Sequence, residues 1–113
     1  MNDYTTTDLV IDLVDAAGYG ITWADQAHLD EDAQTYTLDL DEDATLEAGK
    51  PQVTLTFQAI QDALAKLAQG GIAHQVITQA CQVALDSPED ADIDSETADC
   101  IIQVAAFGEV VFG

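Results

Sequence analysis

A chain whose only basic side chains are Lys50 and Lys66 has almost nothing with which to neutralise a buried carboxylate, and this one carries 22 aspartates and glutamates. Taking an unpaired carboxylate out of water costs several kcal/mol, so any fold open to this sequence must keep most of its acids at the surface. The formal net charge of −20 over 113 residues is therefore a property of the exterior, and it governs association and solubility more than it governs fold. The apolar residues, 48% of the chain, recur in periodic runs. That pattern predicts a folded body with an acidic coat rather than a disordered acidic tail, and the length suits one domain over residues 1–113.

Local signals give an α+β plan in the order α-β-β-β-α-α-α, a three-stranded antiparallel meander covered by about four helices. Residues 7–17 read as the first helix: Thr5 to Thr7 supply cap candidates, Leu9, Val10, Leu13 and Val14 form an apolar stripe, and Gly18 stops it. Asp8, Asp12 and Asp15 fall on its opposite face. Residues 21–29 and 34–40 read as strands, the second alternating Tyr36, Leu38 and Leu40 against Thr35, Thr37 and Asp39, with Asp30-Glu31-Asp32 as the hairpin link. Trp23 and Tyr36 are expected in the core as a cross-strand pair. A loop holding Gly49 and Pro51 leads to a third strand at Val53 and Leu55, which runs into a helix over 57–69 capped by Thr56 and ended by Gly70-Gly71. Helices over 73–85 and from Asp94 or Ser95 to about Phe107 complete the plan.

Clustered carboxylates invite a calcium reading, and specific residues refuse it. Asp39-x-Asp41-x-Asp43 and Asp90-x-Asp92-x-Asp94 begin like EF-hand loops, but Ala44 and Ser95 occupy the position that needs glycine. Lys50 and Ile101 occupy the position that needs a bidentate glutamate. No cofactor or metal is expected. His28 and His74 belong to no ligand or nucleophile pattern, Cys81 and Cys100 read as core thiols, and Gly18-Tyr19-Gly20 stands between helix and strand, the reverse of a phosphate loop. No carboxylate pair is singled out for acid–base work, so no enzyme is expected and no catalytic residue is named.

Electrostatic presentation remains. Duplex DNA carries a charge per about 1.7 Å, so 20 charges match about 34 Å of duplex, the scale of a globule this long. The expected function is that of an acidic DNA-mimic inhibitor of a basic nucleic-acid-binding host protein such as a restriction, CRISPR or transcription component. The expected partner-binding residues are Asp30, Glu31, Asp32, Asp39, Asp41, Glu42 and Asp43 as one patch, and Asp86, Glu89, Asp90, Asp92, Asp94 and Glu96 as a second. Direct binding to nucleic acid or to an anionic membrane is opposed by the same charge. Residues 1–4 lack the start of a signal peptide and no apolar run reaches membrane length, so a cytoplasmic location is expected, that of the host if phage-encoded. A homodimer through Val110-Val111-Phe112 is the alternative use of that apolar end. A structural or adaptor module coated for solubility, and a halophile-adapted domain, are the alternative functional readings.

Several segments resemble small acidic proteins of actinobacteria and their bacteriophages. They are Gly20-Ile21-Thr22-Trp23, Asp32-Ala33-Gln34-Thr35-Tyr36-Thr37, Val53-Thr54-Leu55-Thr56-Phe57 and Ala98-Asp99-x-Ile101-Ile102-Gln103-Val104-Ala105-x-Phe107-Gly108-Glu109. The resemblance implies a phage or mobile-element context, in which small acidic proteins block host defence or transcription machinery, and it carries over no functional residues.

Overall fold

The computed structural model describes residues 5–18 and 21–112; residues 1–4 and the Tyr19-Gly20 part of the first interelement link lie outside them. Thr5 opens α1 (Thr6–Ala17) through a capping box: its hydroxyl accepts the Asp8 N–H at 3.2 Å, and the Asp8 carboxylate accepts the Thr5 N–H at 2.9 Å. The antiparallel sheet follows in the order β1 (Ala24–Asp30), β2 (Thr35–Leu40), β3 (Gln52–Thr56). Alternation along β2 and β3 buries Tyr36, Leu38, Leu40, Val53 and Leu55 on one face and leaves Thr35, Thr37, Asp39, Gln52, Thr54 and Thr56 on the other.

Helices cover the buried face. The chain passes from β3 straight into α3 (Phe57–Ala68), where the Thr56 hydroxyl accepts the Ala59 N–H at 3.0 Å. α4 (Gln75–Asp86), a 3₁₀ turn (Pro88–Asp90) and α5 (Ser95–Phe107) follow; α3 packs on α4 and α5, and α1 packs on α5. Leu13, Leu38, Ile60, Leu64, Leu67, Ile101 and Ile102 are sealed within one contiguous core with residues from every layer. The expected α+β plan holds.

Two local expectations do not. Residues 42–48, read as loop, form an additional helix, α2 (Glu42–Ala48), between β2 and β3. The Asp41 carboxylate caps it by accepting the Ala44 N–H at 2.8 Å, and Gly49 ends it at φ 75°, a left-handed conformation that glycine adopts without steric cost. Only Ala44 is buried along it and Leu46 is exposed, so no apolar stripe announces it. Trp23, in turn, lies just before β1 rather than within it, and Leu29, not Trp23, stands opposite Tyr36. A bulge at Asp25 shifts the register between Ala24 and Gln26. Both aromatics are buried as expected, but the Trp23 ring packs edge-on against Phe107 at 5.2 Å and stacks on Phe112 at 6.0 Å.

Its indole Nε1 donates to Asp99 Oδ1 at 2.7 Å. Asp99 also accepts from Gln103 Nε2 at 3.1 Å, and Gln103, with no exposed surface, holds the C-terminal segment. Its Nε2 donates to the Phe112 carbonyl at 2.8 Å, while its Oε1 accepts the N–H groups of Val111 (2.8 Å) and Phe112 (2.7 Å). The Val110-Val111-Phe112 end, considered above for a dimer contact, is thus folded back and half-buried against its own chain.

Candidate functional site

Many of the carboxylates have local structural work that composition does not reveal. Asp30 accepts the Ala33 N–H at 3.0 Å in the hairpin turn, Asp39 accepts from Gln52 Nε2 at 2.7 Å, and Asp41 caps α2. Asp94 caps α5 by accepting the Thr97 N–H at 2.8 Å, and these backbone and side-chain bonds to Thr97 hold its carboxyl below the ordinary value of 3.8. A carboxyl held low stabilises the fold above its unfolded value, and that contribution is lost as pH falls through the folded one. Asp94→Ala is therefore expected to cost about 1 kcal/mol in urea unfolding at pH 7. The difference should shrink as pH falls below the ordinary carboxyl range, because protonation removes the charge from the cap, whereas Asp94→Asn, whose amide oxygen accepts at any pH, should show no such pH dependence.

The first expected patch is two. Asp30, Glu31 and Asp32 lie at the hairpin tip, while Asp39, Asp41, Glu42 and Asp43 lie at the far end of β2, which at the usual rise per residue is about 17 Å long. The second patch is contiguous: Asp86 ends α4, Glu89 and Asp90 sit in the 3₁₀ turn, and Asp92, Asp94 and Glu96 lead into the first turn of α5. Glu31, Asp32, Glu42 and Asp43 are exposed and make no side-chain hydrogen bond, as are Asp86, Glu89, Asp90, Asp92 and Glu96.

What the sequence did not join is the row on α1 to either patch. The 3₁₀ turn bearing Glu89 and Asp90 packs against α1. α1 and β1 also flank a cleft of about 440 Å³ whose lining includes Asp12, Asp15 and Glu31 over a floor of Ile11, Val14, Leu29 and Tyr36. α1 therefore touches the 3₁₀ turn and shares a cleft with the hairpin tip, and Asp12, Asp15 and Glu31 stand together on the lining of that cleft. Asp12 and Asp15 belong to this candidate interface although the linear clusters excluded them. The available signal was their i, i+3 spacing opposite the apolar stripe.

The two EF-like runs diverge in space. Asp39 turns to Gln52 and Asp41 to the α2 backbone, and among the described residues no three His, Cys, Asp or Glu side chains are grouped to hold a metal ion. Cys81 and Cys100 are buried free thiols; burial, then the neighbouring Cys100, pushes Cys81 up to about 11. Burial followed by Asp99, Glu96 and Asp94 pushes Cys100 up as well. Both stay protonated at neutral pH, the opposite of an activated nucleophile, although Cys100 shares a hollow of about 220 Å³ with His74 and Asp99. His28, on β1, and His74, before α4, are exposed. No helix among the described residues is long and apolar enough to cross a membrane.

Comparison of the chain with protein-family models, with curated proteins and with solved structures finds no match.

Proposed function

We propose that this protein is a non-enzymatic inhibitor of the DNA-mimic type that binds a basic nucleic-acid-binding protein of a host cell, a restriction, CRISPR or transcription component, in a phage or mobile-element setting. The observation that carries the reading is linear charge density. Twenty net charges along a long axis of 44 Å amount to one per about 2.2 Å, against one per about 1.7 Å for duplex DNA. A protein built to grip phosphates with Lys and Arg is attracted to such a surface over a Debye length, and exposed acids on α1, the hairpin tip and the 3₁₀ turn present that charge to solvent. Lys66, whose charge is already counted in that net figure, donates its Nζ to the Gly108 carbonyl at 3.1 Å rather than to a carboxylate.

The test is retention of a defined DNA-binding protein on the immobilised chain. The expected result is specific retention, release between about 0.1 and 0.5 M NaCl, competition by duplex DNA, and stoichiometric loss of that protein's DNA binding in a gel-shift assay. Retention that DNA fails to compete, or retention of histones and ribosomal proteins alone, would refute it.

A further inference from the structure

Among the described residues β1 has no strand beyond it, and the hydrogen-bond phase says which of its backbone groups are left unpaired by the sheet. Leu40 N–H donates to the Pro51 carbonyl at 2.8 Å and Phe57 N–H to the Gln34 carbonyl at 3.0 Å, so the even-numbered residues of β2 face β3 and the odd-numbered ones face β1. Gln26, His28 and Asp30, opposite Asp39, Thr37 and Thr35, therefore turn their backbone groups inward. Ala27 and Leu29 turn theirs outward, while their side chains stand on the helix-covered face opposite Leu38 and Tyr36.

That outward edge borders the cleft under α1. A second hollow, of about 240 Å³, continues it toward Ala24 and Asp25 and shares Gly18, Ala27 and Tyr36 with the first, so the two run along β1 between Ala24 and Leu29. The floor of the larger hollow is apolar, and the ionised groups on the lining of the two, Asp12, Asp15, Asp25 and Glu31, are all acidic, with the Tyr36 phenol the other titratable group. We infer that the β1 edge accepts an extended basic segment of a partner protein as a fourth antiparallel or parallel strand, with alternate apolar side chains entering the α1–β1 groove and flanking Lys or Arg side chains meeting its carboxylate rim. Strand addition supplies main-chain bonds through Ala27 and Leu29, and the groove supplies side-chain selection. A second copy of this chain is the wrong occupant on charge grounds, because it would bring Asp25, Asp30 and Glu31 against their own kind. The inference rests on the acidic surface being a docking site for a basic protein, and it specifies how that protein is held.

The probe is a labelled peptide of about seven residues alternating lysine and valine, titrated at about 50 mM NaCl and followed by amide exchange in ¹⁵N spectra. Binding should protect the Ala27 and Leu29 amides. Ala27→Pro removes one outward donor and leaves both the net charge and the β1–β2 ladder in place, and it should weaken binding at least about tenfold. Methylating alternate peptide nitrogens should do the same with no change to the protein, and a lysine–serine peptide of equal charge should bind at least about tenfold more weakly. Equal binding of the lysine–serine or N-methylated peptide would overturn strand addition while leaving the DNA-mimic reading intact. So would a dimer in sedimentation that Ala27→Pro dissociates. Failure of every peptide together with failure of the DNA-binding protein to be retained would remove both.

Discussion

Gln103→Ala is expected to cost about 3 kcal/mol and to release the C-terminal segment, a large share of the roughly 5–15 kcal/mol that holds a domain of this size folded. The side chain is completely buried and makes four hydrogen bonds, three of them to Val111 and Phe112. Truncation leaves two N–H groups and a carbonyl without these partners and opens a cavity beside Trp23, whose stacking on Phe112 depends on that segment staying in place. Urea unfolding followed by Trp23 fluorescence, with carboxypeptidase sensitivity of residues 110–112, measures both effects. The loss has a pH sign. Burial raises the Asp99 carboxyl against the lowering effect of the Trp23 and Gln103 bonds, so removing Gln103 raises it further. A raised carboxyl contributes stability below its unfolded value that is lost as pH rises through the folded one, so the deficit should be larger at pH 7 than at pH 4. Gln103→Glu sharpens the contrast, because it keeps an acceptor for Val111 and Phe112 but sets a second carboxylate against Asp99 until one of them is protonated.

That network shows where sequence stops being informative. Thr56, Asp94 and Gly108 act at the helix ends where propensity puts them, and the alternation from Thr35 to Leu40 assigns the two sheet faces correctly. These are local signals, decided within a turn or a strand. α2 has a cap and a stop, Asp41 and Gly49, yet it buries one alanine, so periodicity has nothing to register. Trp23 and Asp99 are 76 residues apart, and no local rule pairs them. Gln103 did leave a trace, as a polar residue inside Ile101-Ile102-Gln103-Val104 on a helix apolar nearly all round, which in a buried element demands partners. The candidate interface divides the same way. Each acidic run was readable, but proximity in sequence misled across β2, whose extended backbone separates Asp30 from Asp41, and the joining of Glu31, α1 and the 3₁₀ turn is tertiary.

Reversing the charge there should separate interface from coat. Asp15, Glu31 and Glu89 each changed to Lys alter the charge by two units, taking −20 to −14, and the same arithmetic applies to Glu42, Asp43 and Glu47 at the far end of β2. Asp41 is left alone in that control because its carboxylate caps α2, and its loss would mix a folding defect of about 1 kcal/mol into a binding measurement. Both triple variants relieve self-repulsion, so both should melt higher than the parent at about 20 mM NaCl, by about 4–8 °C for each kcal/mol relieved, and both should gain less from added salt. Only the first should lose the basic partner, by about a hundredfold or more at low salt, with a shallower dependence of affinity on salt. Long-range attraction falls with net charge equally in the two variants, so a difference between them can come only from where the charge sits. Equal losses would make the acidity a bulk property of the coat; a larger loss in the first variant locates the contact on the side of α1, the hairpin tip and the 3₁₀ turn, and a larger loss in the second moves it to α2.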